Sequence, residues 1–200
     1  MKVTARGANQ NRLRLIRGGL QIQWWFHHIR IVAAPESNPP FEVEARAFEE
    51  DTFLIMSAKP EVCGIPEDPI RLMTDLINTK PEQVGSVRVQ GTKPLRLLAI
   101  VHDVNQDPTW KRAWIKSALK EIWREVEQRK LTSVGIPLLG TLHGKLQMPN
   151  FVELFADTLM QAGHNFLKRI WLITPAKNTS VLMEMLKDRL TEARNEWTKI

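Results

Sequence analysis

Cysteine is almost absent from this chain. Cys63 is the single one in 200 residues, which excludes a disulfide framework or a cysteine zinc site within one chain. A cytoplasmic, reducing setting is the expectation. Long apolar runs are missing too. The most apolar early stretch, GLQIQWWFHHIRIVAA, is broken by Gln21, Gln23, His27, His28 and Arg30, so no membrane span is expected. The first residues, MKVTARGANQNRLRLIRGG, have no apolar h-region, and no signal peptide is expected. No internal repeat or low-complexity tract is present. Acidic residues are scarce at the start: residues 1–40 hold Lys2, Arg6, Arg12, Arg14, Arg17 and Arg30 against Glu36 alone. Of the formal net charge of +6, all but one unit therefore resides in residues 1–40. Residues 1–11 read as a flexible basic arm, able to touch an anionic partner or simply solvated.

The chain as a whole is 43% hydrophobic and 25% charged, and residues 12–200 read as one globular domain. Alternation predicts short strands at 12–16, 20–26, 29–34 and 41–48, an N-terminal elaboration interrupted by the proline-rich loop PESNPP. DTFLIMSA (51–58) is an unbroken apolar run of strand length, as expected of a strand covered on both faces. A helix is predicted over 66–79, strands over 86–91 and 94–103, and a long amphipathic helix over 109–130. In that helix Trp110, Trp114, Ile115, Ala118, Leu119, Ile122 and Val126 share one face. A strand at 131–139, a helix at 149–163, a strand at 169–175 and a closing helix at 178–197 complete the chain. Buried strands alternating with amphipathic helices predict an α/β fold with a mixed, largely parallel sheet covered on both faces. In such sheets ligands bind beyond the carboxyl ends of the strands.

The stretch SVGIPLLGTLHGKL (133–146) is the main candidate for chemistry. A strand runs into Gly140-Thr141-Leu142-His143-Gly144, and a helix follows. Backbone N–H groups in such a turn, together with the helix dipole, suit an anion. The same pattern also suits a turn that binds nothing. His102 closes a predicted strand and could act as a base. Asp103 beside it points to the other face, so the two form no dyad. His143 could donate to a phosphate or face solvent. Cys63 reads as a buried small hydrophobe rather than an activated thiol. His27 and His28 diverge on a strand and have no evident third ligand, so no metal site is assigned. Of Trp24 and Trp25, one must face away from whatever the other packs on, which makes the pair an interface candidate.

Residues 51–175 resemble a divergent macro domain, the ADP-ribose-binding fold, of bacterial type. The family strand S-I-A-h-P-x-h-G-T-G-x-x-G, where h is apolar, is matched by Ser133-Val134-Gly135-Ile136-Pro137-Leu138-Leu139-Gly140-Thr141-Leu142-His143-Gly144. The family h-I-H strand is matched by Ala99-Ile100-Val101-His102. The D-A-I-V-N-A-A-N strand is placed on Asp51–Ala58. The resemblance implies a three-layer α/β/α fold. It also implies a phosphate cradle in the amides of Gly140, Thr141, Leu142, His143 and Gly144, with Ser57, Gly64, Ile65 and His102 as further pocket residues. On that placement the family asparagines fall on Ile55 and Ala58, the first phosphate loop is shortened to Val62–Ile65, and the adenine-reading aspartate has no match. No catalytic residue and no cofactor are therefore assigned, and ADP-ribosyl hydrolysis is disfavoured. Three functions stay open: binding a phosphate-bearing nucleotide such as ADP-ribose, a ligand-free scaffold for protein association or a homodimer, and RNA binding through the basic arm.

Overall fold

The computed structural model describes residues 14–16, 19–56 and 80–197. The predicted arm (1–11), the helix at 66–79, and Ser57, Ala58, Cys63, Gly64 and Ile65 lie outside the described residues.

Strands β1 (Arg14–Ile16) and β2 (Gly19–Gln21) form a separate antiparallel pair. The main sheet contains β3 (Gln23–Phe26), β4 (Ile29–Ala34), β5 (Ala45–Asp51), β6 (Val87–Gln90), β7 (Leu95–His102), β8 (Ser133–Pro137) and β9 (Arg169–Ile173). Its order is β3-β4-β9-β8-β5-β7-β6. The five inner strands run parallel, and antiparallel β3 and β6 close the two edges. The sheet is thus mixed and largely parallel, as the alternation of strands and helices predicts.

Three helices are described: α1 (Arg112–Gln128), α2 (Met148–Gln161) and α3 (Thr179–Trp197). They lie side by side, with α1 against β7 and β6, and α3 against β4 and β3. In α1, Ile115, Ala118, Leu119, Ile122, Trp123 and Val126 are buried at helical spacing. The opposite face carries the ion pair Arg129–Glu125 at 2.8 Å. The helix ends where Lys130 turns left-handed (φ 55) and the Leu131 N–H reaches back to the Val126 carbonyl at 2.9 Å. Pro149 opens α2, where no intrahelical N–H is needed.

Strand alternation divides the sheet's two faces. Ile31, Ala47, Ala99, Val134 and Leu172 join the core under the helices, while Ala34, Trp171 and Ile173 pack with Phe41 and Val43 in a second cluster. Arg46 sits on that second side, its guanidinium over the rings of Phe48 and Trp171.

Two sequence expectations need correction here. The strand expected over 41–48 begins at Ala45, and the apolar run 51–58 is not a strand in its described part. Asp51 ends β5, and residues 52–56 form a turn in which Leu54 has φ 62. The Asp51 carboxylate causes this. Its two oxygens accept the N–H groups of Phe53 (2.7 Å), Ile55 (3.1 Å) and Met56 (3.0 Å), which rolls the chain out of the sheet. Ile55 and Met56 are exposed, so apolarity was not a sign of burial. The true inner strand, ARAFEED, reads as polar because Arg46 is covered by aromatic faces and its last three residues are acidic.

Half-buried His164 donates from Nε2 to the Leu159 carbonyl at 2.7 Å. Burial, as the main cause, holds its pKa below the usual value, and nearby His27 and His28 push in the same direction. The unfolded chain therefore takes up this proton first as pH falls. Stability linked to His164 is complete above the unfolded value near 6.5 and declines below it. Urea midpoints are expected to drop between pH 7.5 and 5.5, and His164→Gln is expected to reduce that drop. An equal drop in the variant would assign the effect to other groups.

Candidate functional site

The carboxyl ends of β8, β5 and β7 are adjacent, and the loop from β8 to α2 crosses them. This loop leaves the sheet after Pro137, and its path demands glycine at two positions. Gly140 has φ +79, and an added Cβ there would sit 2.4 Å from Ile115 Cδ1 of α1. The Gly140 carbonyl accepts the Leu146 N–H at 2.9 Å, so the loop closes on itself. Gly144 is buried, and a Cβ there would meet the Gly140 oxygen at 2.7 Å and Trp110 at 2.8 Å. Both glycines are thus required by close packing, whatever the loop binds.

The five candidate amides do not share one state. The Gly140 N–H donates to Glu49 Oε2 at 2.9 Å, and the Thr141 N–H donates to the Leu138 carbonyl at 3.0 Å. The Thr141 hydroxyl uses the same carbonyl at 2.7 Å. The N–H groups of Leu142, His143 and Gly144 have no partner among the described residues. Leu142 is 80% exposed, and His143 is exposed.

Glu49 is the residue that sequence reasoning missed. It stands near the carboxyl end of β5, its side chain nearly buried, and its second oxygen lies 2.5 Å from His102 Nε2. His102 ends β7 and is also buried. One carboxylate therefore ties β5, β7 and the β8–α2 loop together. His102 Nδ1 has no protein partner among the described residues. The rings of His102 and His143 meet edge to face at 6.2 Å. Asp103 turns away to Gln106 and to the Asn105 N–H, so no His102–Asp103 dyad forms. The one available signal for Glu49 was the acidic run Glu49-Glu50-Asp51 ending an alternating segment.

The amino end of β5 holds a second carboxylate. Glu44 accepts the Thr132 N–H at 2.6 Å and the Thr132 hydroxyl at 3.0 Å. These bonds, led by the backbone one, hold its pKa below the usual carboxylate value. On edge strand β3, Trp24 packs against the core while Trp25 is 45% exposed. His27 and His28 form the β3–β4 turn. Among the described residues no group of three or more His, Cys, Asp or Glu side chains is placed to hold a metal, and no helix is long and apolar enough to cross a membrane.

No family model matches the chain, and no curated protein matches it significantly. Solved structures do. The Oceanobacillus iheyensis macrodomain with ADP superimposes with a TM-score of 0.64 at 12% identity, over 86% of this chain and 97% of that one. The macrodomain of Thermus aquaticus DarG gives 0.53 at 15% identity, over 72% and 98%. The macro domain of ganglioside induced differentiation associated protein 2 gives 0.55 at 8% identity, over 78% and 82%.

Proposed function

Because the chain has the macrodomain fold, a three-layer α/β fold, we propose that it binds a phosphate-bearing nucleotide at the carboxyl ends of β8, β5 and β7. ADP-ribose is the compound that the fold suggests first, and the Oceanobacillus iheyensis macrodomain is solved with ADP. One observation carries this reading: the N–H groups of Leu142, His143 and Gly144, successive in the loop, have no partner among the described residues. Backbone amides of this kind, just before a helix N-terminus, form an anion seat without a cationic side chain. His143, exposed in the same loop, is available to donate a further bond. Glu49 and the Leu138 carbonyl already accept the Gly140 and Thr141 N–H groups, so the seat lies in the distal part of the loop.

Calorimetric titration with ADP-ribose, AMP and pyrophosphate tests the reading. The informative variant is Leu142→Asp. The side chain is solvent-exposed, so folding is expected to be untouched, while a carboxylate placed beside the free amides repels a phosphate. The expected result is binding by the wild type and a loss of about tenfold or more in the variant. Substitution of Gly140 is unsuitable, since any side chain there strikes Ile115. Absence of heat with all three ligands, from folded protein, would reject nucleotide binding. The exposed Trp25 on edge strand β3 would then be the surface to examine, as a contact with a second copy.

A further inference from the structure

We propose that Glu49 is a resident anion that sets the charge selectivity of the loop. This rests on the nucleotide reading above and adds a specificity-determining residue to it. The Glu49 carboxylate occupies the Gly140 N–H at 2.9 Å, which is where a phosphate oxygen would otherwise be received. It cannot easily withdraw, because its other oxygen is held by His102 at 2.5 Å. The amide cannot easily withdraw either. Gly140 is packed against Ile115, and its carbonyl is engaged by Leu146. Asp51, two residues on, has both oxygens committed to the turn that follows β5.

A ligand phosphate reaching the amides of Leu142, His143 and Gly144, which have no partner among the described residues, therefore approaches a loop whose Gly140 amide already holds a nearly buried carboxylate. Like charges in such a setting are weakly screened. The loop then favours one phosphate seated distally and disfavours a second negative group extended toward Gly140. Glu49 selects among ligands by repulsion, not by contact.

Glu49→Gln isolates this effect. The amide oxygen can still accept from Gly140, and the amide nitrogen can face His102, but the charge is gone. Titrations with ADP-ribose and with uncharged adenosine, in low and high salt, compare wild type, Glu49→Gln and Glu44→Gln. Glu44 lies at the opposite end of β5 and serves as the control. The expected result is ADP-ribose binding about tenfold tighter in Glu49→Gln. That gain should shrink as salt rises, with adenosine unaffected and Glu44→Gln like wild type. Detectable binding in Glu49→Gln where wild type has none supports the proposal in the same way. Equal or weaker ADP-ribose binding in Glu49→Gln, or an equal gain with adenosine, overturns the selectivity role and leaves the nucleotide reading standing. Failure of both proteins to bind ADP-ribose while folded overturns both. If Glu49→Gln does not fold, Glu49→Met removes the charge while keeping about the length of the side chain. It should also bind ADP-ribose more tightly than wild type, and unchanged affinity overturns the proposal.

Discussion

Glu49→Ala is expected to lower the free energy of unfolding by about 3–5 kcal/mol, read from urea denaturation at neutral pH. Removing the carboxylate leaves the Gly140 N–H and His102 Nε2, both inside the protein, without their acceptor. Truncating one partner of a buried pair costs more than the pair contributes, because the other partner stays desolvated. The site is three-way, so the loss reaches β5, β7 and the β8–α2 loop at once. Hydrogen exchange at Gly140 and its neighbours should rise more than at α3. A loss below about 1 kcal/mol would mean that water replaces the carboxylate, and that the loop is held by Gly140 packing alone. The effect is separable from that of Glu49→Gln, which keeps an acceptor in place.

A loss of similar size is expected for Trp123→Ala, about 3–5 kcal/mol, measured in the same way. Trp123 is almost fully buried in α1, edge to face with Phe155 of α2 at 5.5 Å and with His164 at 5.6 Å. Its Nε1 donates to Thr158 Oγ1 at 3.1 Å, and that hydroxyl in turn can donate to the Leu154 or Phe155 carbonyl. One side chain thus joins two helices through both volume and a polar bond. Trp123→Phe separates these contributions. It keeps most of the ring volume and loses one donor, and about 1–2 kcal/mol is expected. If Trp123→Phe cost as much as Trp123→Ala, the hydrogen bond rather than the packing would dominate the α1–α2 contact.

Helix α1 was legible because its signal is local. Apolar residues at helical spacing need only one buried side, and Ile115 through Val126 supply it. The β8–loop–α2 unit was legible for a similar reason: an apolar strand, a glycine turn and a proline at the helix start follow one another in the chain. Strand β5 was misplaced because its burial is not apolar. Arg46 is covered by Phe48 and Trp171, the latter 125 positions away, and Asp51 bends the chain just where the hydrophobic run begins. Moving the strand to Ala45–Asp51 also removes the grounds for placing family asparagine positions on Ile55 and Ala58. Ile55 lies in an exposed turn, and Ala58 is outside the described residues.

The residues alone were enough for the fold class, the order of most strands and helices, the location of the glycine loop, and the expectation that one of Trp24 and Trp25 faces outward. Each of these depends on periodicity or on turn chemistry within a short segment. Only the folded chain decided which loop amides lack a partner among the described residues and which one holds Glu49. Glu49 lies 53 positions from His102 and 91 from Gly140. No local pattern encodes a contact of that kind. It arises because parallel pairing aligns the carboxyl ends of β8, β5 and β7, so one short side chain can reach both neighbours.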